Sequence, residues 1–469
     1  MATAQRAREA VTDAPANGAQ LPPGPRAPGP VQTVEWMLRP TRFLERCQER
    51  YGSVFSVRLG PARNVVVVGD PHAAKAVISA GPDQARAGET NGPFRRVVGS
   101  DSILLLDGER HLEQRRLMLP SFRAGHVRSF ADSIEQITRR RIAGWPVGKP
   151  FAIQPEMEAI SFEAIMRITF GDELDERHER LRALVTEMMQ RCASPLLMLP
   201  WFRQDLWGFS PAARTKQVLA RIDQLLFELI SERRADPAVH HRDDIVSMLA
   251  SASHADGSPM SDQELRDEIL TLLMAGYDTT TSALSWSFER LLRTPAVLAS
   301  LVEEVGRGSE VYLDATVKEI LRIRPVVPVV ARRLQVPFEL NGYTFPAGWV
   351  LMASIYLAHH DPVVYPDPDR FRPERFLPDE PDPAVWIPFG GGVRRCLGAS
   401  LAQLELKTVL KTVLGSAHLE PVGLSEEPIR RRFTLGPKRE GMVMATEIAV
   451  EPEVRVARAL ADDRARAQR

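Results

Sequence analysis

Ten residues towards the C-terminal end carry the sharpest chemical signal in the chain: Phe389-Gly-Gly-Gly-Val-Arg-Arg-Cys396-Leu-Gly398. Three consecutive glycines free the backbone to turn its N–H groups towards one point, and Gly398 permits close approach after the cysteine. Basic residues precede the thiol and a helix is expected shortly after it, so the surroundings favour thiolate. Three chemistries compete for such a loop. A phosphate cradle wants Lys-Ser/Thr after its last glycine, and that pair is absent. A cysteine nucleophile wants a base, which the sequence does not exclude. A metal-ligating thiolate fits best, because no CxxC or Cys/His zinc set accompanies Cys396.

A second chemical segment, Ala275-Gly-Tyr-Asp278-Thr279-Thr280, lies inside a stretch of helical character that runs from Ser261 to Thr294. Ser261-Asp-Gln-Glu264 fits a capping box at its start, and Pro295 follows its end. About 33 residues at 1.5 Å each make a helix of roughly 50 Å. From Ile269 to Leu292 apolar residues go nearly all round, which predicts burial through the centre of the fold. Gly276 costs about 1 kcal/mol in a helix interior, and Asp278 is a charge in apolar surroundings. Two readings remain: a packing glycine with a capped polar pair, or a bent helix that opens a small polar pocket. Glu319 and Arg322 lie three apart on one helix face, by default an exposed pair worth a few tenths of a kcal/mol. His359-His360-Asp361 has metal-like residue types, and a structural turn is the favoured reading there.

The elements that must position these residues follow from pattern. Residues 1–20 lack periodicity and are expected to be a disordered tail, and Leu21 to Pro30 an extended Pro/Gly-rich lead-in. Ser53–Arg58 and Asn64–Val68 read as strands. Helical spacing dominates from about 105 to 320. Asn341-Gly342 between Phe338–Leu340 and Tyr343–Phe345 signals a two-residue hairpin. An irregular Pro-rich stretch (361–395) precedes a helix from Ser400 to Leu414. The expected organisation is one domain over 21–450 with a charged tail at 451–469, mainly α with a smaller β part drawn from both ends.

Composition limits the function classes. The chain has 469 residues, with 60 Lys+Arg against 60 Asp+Glu, so no basic excess points to nucleic acid. Three cysteines, Cys47, Cys192 and Cys396, cannot build a disulfide framework and suit a reducing compartment. No run of 18 apolar residues and no signal-peptide core exists, so a cytoplasmic location without a membrane anchor is expected.

Phe-x-x-Gly-x-Arg-x-Cys-x-Gly resembles the haem-thiolate signature of the cytochrome P450 family at every fixed position. Glu319-Ile-Leu-Arg322 resembles that family's Glu-x-x-Arg, Phe371-Arg-Pro-Glu-Arg-Phe376 its meander motif, and Ala275 to Thr280 its oxygen-activation motif. The four occur in the family's order, and the resemblance covers about residues 21–450. It implies a triangular helical prism around a long central helix, holding haem b. By the same resemblance Cys396 is the proximal iron ligand, and Phe389, Gly398 and Ala275 lie against the cofactor. It makes Arg375 a partner of Glu319 and Arg322 in an ion-pair network. It assigns His111 (where the family often has Trp), Arg115, Arg332 and Arg394 to the haem propionates. Asp278 and Thr279 become the catalytic pair that relays protons to the distal oxygen. The short connection between Glu304 and Lys318 leaves the local helix boundaries open.

The implied activity is a monooxygenase that inserts one atom of O₂ into an apolar lipid, steroid or terpenoid. Phe94, Val97, Val98, Met274, Ala275, Val326, Val327, Val329 and Val330 are expected to line its pocket. Arg95 and Arg96 are either a carboxylate anchor at the entrance or solvated surface. NAD(P)H is involved only indirectly, through a separate ferredoxin and ferredoxin reductase, for which Arg116, Arg395, Lys407 and Lys411 offer positive charge. The rivals are a peroxygenase or isomerase-type haem enzyme and a non-catalytic haem-binding protein.

Overall fold

The computed structural model describes residues 21–60, 62–192, 211–377, 382 and 384–449, so both expected tails lie outside the described residues. The central helix runs unbroken from Asp262 to Leu291. Ser261 caps it as expected: its hydroxyl oxygen accepts from the Glu264 N–H at 3.2 Å, and its own N–H donates to the Glu264 carboxylate at 2.7 Å. The helix ends three residues earlier than the periodicity indicates, because the chain turns to place Thr294 before the next helix, Pro295–Arg307. The helices Ile153–Phe170 and Ala399–Ser416 pack against it. At Gly276 an added Cβ would sit 2.9 Å from Ile165 Cδ1, so this glycine lets the Ile153–Phe170 helix approach closely. That is the packing reading of Gly276.

The β part is a five-stranded sheet drawn from both ends of the chain. Its strands are β1 (Val54–Leu59), β2 (Ala62–Val68), β3 (Ala85–Arg86), β4 (Val329–Leu334) and β5 (Val350–Ser354), in the order β1-β2-β5-β4-β3. Only the β2–β5 pair is parallel. Val66 and Val68 enter one apolar cluster and Val65 and Val67 another, which is why β2 reads as a continuous valine run buried on both faces. The predicted hairpin forms, with Asn341 at φ 48° and Gly342 at φ 78°. Both values are positive, as a two-residue turn of this twist requires. The lead-in is extended only to Pro28. Gly29–Leu38 is a helix with Pro30 in its first turn, where a missing N–H costs nothing. With 56% of the protein helical, the class is mainly α. Among the described residues no helix is long and apolar enough to cross a membrane.

The uncertain boundaries beyond Glu304 resolve into helices Pro295–Arg307 and Val311–Ile323. The second carries Glu319 and Arg322, both fully buried. Arg322 grips the Glu319 carboxylate through two N–H groups at 2.6 and 2.9 Å and donates to the His359 and Pro368 carbonyls. Arg375 Nε donates to Glu319 at 3.2 Å, and the Arg372 N–H at 2.9 Å. The exposed-pair reading of Glu319 and Arg322 is therefore wrong. Removing one member of a buried pair strands the others at about 3–5 kcal/mol. Glu319→Ala should leave little soluble, cooperatively folded protein. A variant with wild-type yield and urea midpoint would contradict the network.

Candidate functional site

Cys396 sits at the end of a loop whose shape the glycines allow. Gly390 and Gly392 have φ of 67° and 60°, and a Cβ on Gly392 would come 3.1 Å from the Ser79 backbone. The Cys396 N–H donates to the Phe389 carbonyl at 3.0 Å, closing the loop. Cys396 lies deep in the molecule and yet its side chain is uncovered, so it faces internal space rather than packed atoms. Burial pushes its thiol up, and the Gly398 N–H, Arg395 and Arg115 act in the opposite direction. Cys47 and Cys192 sit in helices, as expected, and burial pushes each thiol up to about 11. Only Cys396 has donors arranged to hold a thiolate.

The arginines nearby converge. His111 feels Arg394, Arg115 and Arg332 together, with Asp107 as the one opposing charge. Three guanidinium groups against one carboxylate leave an excess of two positive charges. Arg332 is buried in β4, and that burial, followed by Arg394, lowers it to about 10. Among the described residues it donates only to the carbonyls of Ala331 and Ile78. Arg394 donates to the carbonyls of Ile103 and Leu106 and pairs with Asp107 at 2.5 Å. Arg115 donates to the Arg395 carbonyl at 2.8 Å and also senses Cys396, which ties this nest to the cysteine loop.

The central helix supplies the third component. From Leu265 to Glu289 every residue is buried except Leu272, Ala275, Gly276 and Thr279. That spacing, i, i+3, i+4 and i+7, is a single helix face. Thr279 donates its hydroxyl proton to the Ala275 carbonyl at 2.8 Å, leaving its oxygen free to accept from this face. Asp278 points elsewhere. It is buried and accepts from Arg432 at 3.0 Å and from the Thr434 hydroxyl at 3.3 Å. Burial raises its acid group, and Arg432 opposes that.

Three comparisons bear on this arrangement. The family model described as cytochrome P450 matches residues 22–443. A relative named as cytochrome P450 135B1, from Mycobacterium bovis, is 39% identical over 89% of this chain and 90% of its own. Cytochrome P450 138 from Mycobacterium tuberculosis is 38% identical over 93% of this chain and 99% of its own. This chain belongs to the cytochrome P450 family. The solved structure titled retinoic acid bound cyanobacterial CYP120A1 matches with a TM-score of 0.79 at 25% identity, over 91% of this chain and 99% of that one. The cytochrome P450DA haem domain shares the fold, at a TM-score of 0.77 over 92% of this chain and 98% of that one. The family's members are haem-thiolate monooxygenases, and the chain is a cytochrome P450 monooxygenase with a haem iron cofactor.

The residues present fit a haem. An uncovered thiol, a nest with two positive charges in excess and an open helix face suit an iron, two propionates and a flat macrocycle. Several cytochrome P450 expectations need correction. Val97, Val98 and Met274, all expected to line the substrate pocket, are buried in the main core. Lys407 and Lys411 are paired with Asp314 and Glu310, so only Arg116 and Arg395 of the proposed docking charges are free of carboxylates among the described residues. The favoured reading of His359-His360-Asp361 as a structural turn, by contrast, fits: the His359 Nε2 accepts from the Ile387 N–H at 2.9 Å. Among the described residues no three His, Cys, Asp or Glu gather as a metal site.

Sequence reasoning missed the hairpin Pro428–Arg431/Thr434–Pro437, whose tip places Phe433 edge-on to Phe94 at 4.9 Å. It also missed Asp267 and Glu268, which accept from the N–H groups of Asp101 and Ile103 and fix the segment after Phe94. Nothing local marks either.

His111 yields a pH test in haem-free protein. Burial, then Arg394 and Arg115, lower it from 6.5 to about 4. The neutral ring contributes fully above pH 6.5, and that stability is lost as pH falls from 6.5 towards 4, where only the unfolded chain gains the proton. His111→Gln should flatten the fall of urea-unfolding stability across that window. An unaltered slope would show that His111 titrates freely.

Proposed function

We propose that this monooxygenase hydroxylates an apolar, acid-bearing substrate, with Cys396 as its thiolate ligand and electrons from a separate ferredoxin. The observation that carries the reading is Cys396 itself: deep, uncovered, held by the Gly398 N–H and coupled to the cationic nest. Bound haem supplies the iron at which O₂ is activated, one atom entering the substrate and the other leaving as water with two electrons and two protons.

The chain's own groups do the rest. Arg115, Arg332 and Arg394, with neutral His111 between them, hold the propionates and orient the ring. Phe389 and Gly398 shape the cysteine side, and Ala275 borders the opposite face without bulk. Thr279, bonded back to its own helix, offers its oxygen to a water on the open face. Asp278 is the acid behind it, and it resupplies protons to that water. Cys396→His should fold and take up haem yet lose the red-shifted absorption of the ferrous carbonyl complex. Persistence of that band would overturn the ligand assignment.

Thr279→Ala should leave reductant consumption running while hydrogen peroxide replaces product, cutting the product formed per reductant by roughly 10-fold or more. Unchanged coupling would mean that another group holds the water.

Phe94, Val326, Val327, Val329 and Val330 are partly uncovered apolar groups, which supports an apolar substrate. Arg95 and Arg96 are exposed and have no carboxylate partner among the described residues, and the neighbour at 25% identity is titled as retinoic acid bound. Both favour a carboxylate on the substrate. A long-chain fatty acid should give a spin-state shift at a concentration about 10-fold below its methyl ester, and Arg95→Ala with Arg96→Ala should erase the difference. Equal affinities throughout would remove the anchor. Exposed Arg116 and Arg395 support docking of an acidic ferredoxin, reduced by its reductase from NAD(P)H.

A further inference from the structure

Three consecutive residues at the tip of the 428–437 hairpin make contacts of different kinds. Arg432 donates to Asp278 Oδ1 at 3.0 Å and to Glu158 Oε1 at 2.7 Å, and its guanidinium lies over the Tyr277 ring at 5.5 Å. Phe433 meets Phe94 edge-on. The Thr434 hydroxyl touches both Asp278 and the Ser282 hydroxyl. Behind the tip the hairpin is fixed: Leu435 donates its N–H to the Val326 carbonyl and accepts from the Trp286 indole. The tip thus adjoins both Phe94 and the Val326 segment, two stretches proposed to line the substrate space.

Arg432 also has φ 48°, a left-handed value that is strained for a non-glycine residue. Glycine would serve this turn without that strain. Strain retained at an arginine wedged between two carboxylates points to a role for its side chain.

We infer that this tip couples substrate occupancy to proton supply: Phe433 closes the substrate space against Phe94, and a ligand that displaces it draws Arg432 away from Asp278. Arg432 is then a positioning residue, and the inference rests on the proposed role of Asp278. Two arrangements are available because Arg432 has an alternative partner. Drawn off Asp278, it remains paired with Glu158, so no buried charge is stranded.

The groups facing Asp278 are Arg432 and Thr434 from the hairpin, Glu158 from the Ile153–Phe170 helix and Tyr277 beside it. Burial and Glu158 favour the neutral acid, and Arg432 is the one cation opposing them. Loosening the pair therefore lets Asp278 take up a proton when a ligand is present. Without ligand the carboxylate stays held by Arg432 and Thr434.

The test uses haem-loaded protein and 4-phenylimidazole, whose binding reports itself by an absorbance change. Protonation of Asp278 is followed by infrared difference spectra against Asp278→Asn across pH. Saturating probe should move the Asp278 midpoint up by about 1–3 units. In Arg432→Gln the midpoint should already be high and should not move, while Arg432→Lys should restore the response. Phe433→Ala should bind the probe and lose the shift. A wild-type midpoint indifferent to saturating probe would overturn the coupling, as would a Phe433→Ala midpoint that shifts like wild type. Failure of the underlying reading looks different: the shift persists, but Asp278→Asn turns over with undiminished coupling.

Discussion

One carboxylate that never meets solvent fixes the geometry of the cysteine side. Glu319 can be charged there only because Arg322, Arg375 and the Arg372 N–H all bond to it. Arg372 and Arg375 lie 53 and 56 residues further along the chain, so satisfying Glu319 draws the 359–376 stretch onto the Val311–Ile323 helix. The constraint passes on through named bonds. Arg322 holds the His359 carbonyl, the His359 ring accepts the Ile387 N–H, and the Phe389 carbonyl accepts the Cys396 N–H. A loop with three glycines has little stiffness of its own. Its rigidity is borrowed from the ion pair.

Pairing of buried charge also organises the other side, where Arg394 is matched by Asp107 and Asp278 by Arg432. Arg332 and Arg115 are answered only by backbone carbonyls. That imbalance is what a dianionic cofactor edge would correct, and it explains why a protein of zero net charge concentrates positive charge at one interior place.

Local chemistry was legible in the sequence where a short spacing sets the geometry. Ser261 with Glu264, Asn341 with Gly342, and Glu319 with Arg322 all act over two to four positions, and each pair forms, although Glu319 and Arg322 meet inside the fold rather than on its surface. The four ordered motifs made the family and its long central helix readable as well. What escaped depends on distant partners. Arg432 sits in a run of three arginines with no local partner pattern, and its carboxylates, Asp278 and Glu158, are 154 and 274 residues away. Val97 and Val98 have the same apolar character as Val326, and periodicity cannot say whether such a side chain meets core or cavity. Lys407 and Lys411 read as free charge because Asp314 and Glu310 approach from another helix.

The central claim is that the interior space beside Cys396 exists to join its sulfur to a haem iron. X-ray absorption at the iron edge of the haem-loaded protein tests it directly, because it reports the atoms bonded to the metal. The account predicts a single sulfur in the iron's first shell, lost in Cys396→Ser and retained in Cys47→Ser and Cys192→Ser. A first shell of nitrogen and oxygen only, or a sulfur that survives Cys396→Ser, would contradict it.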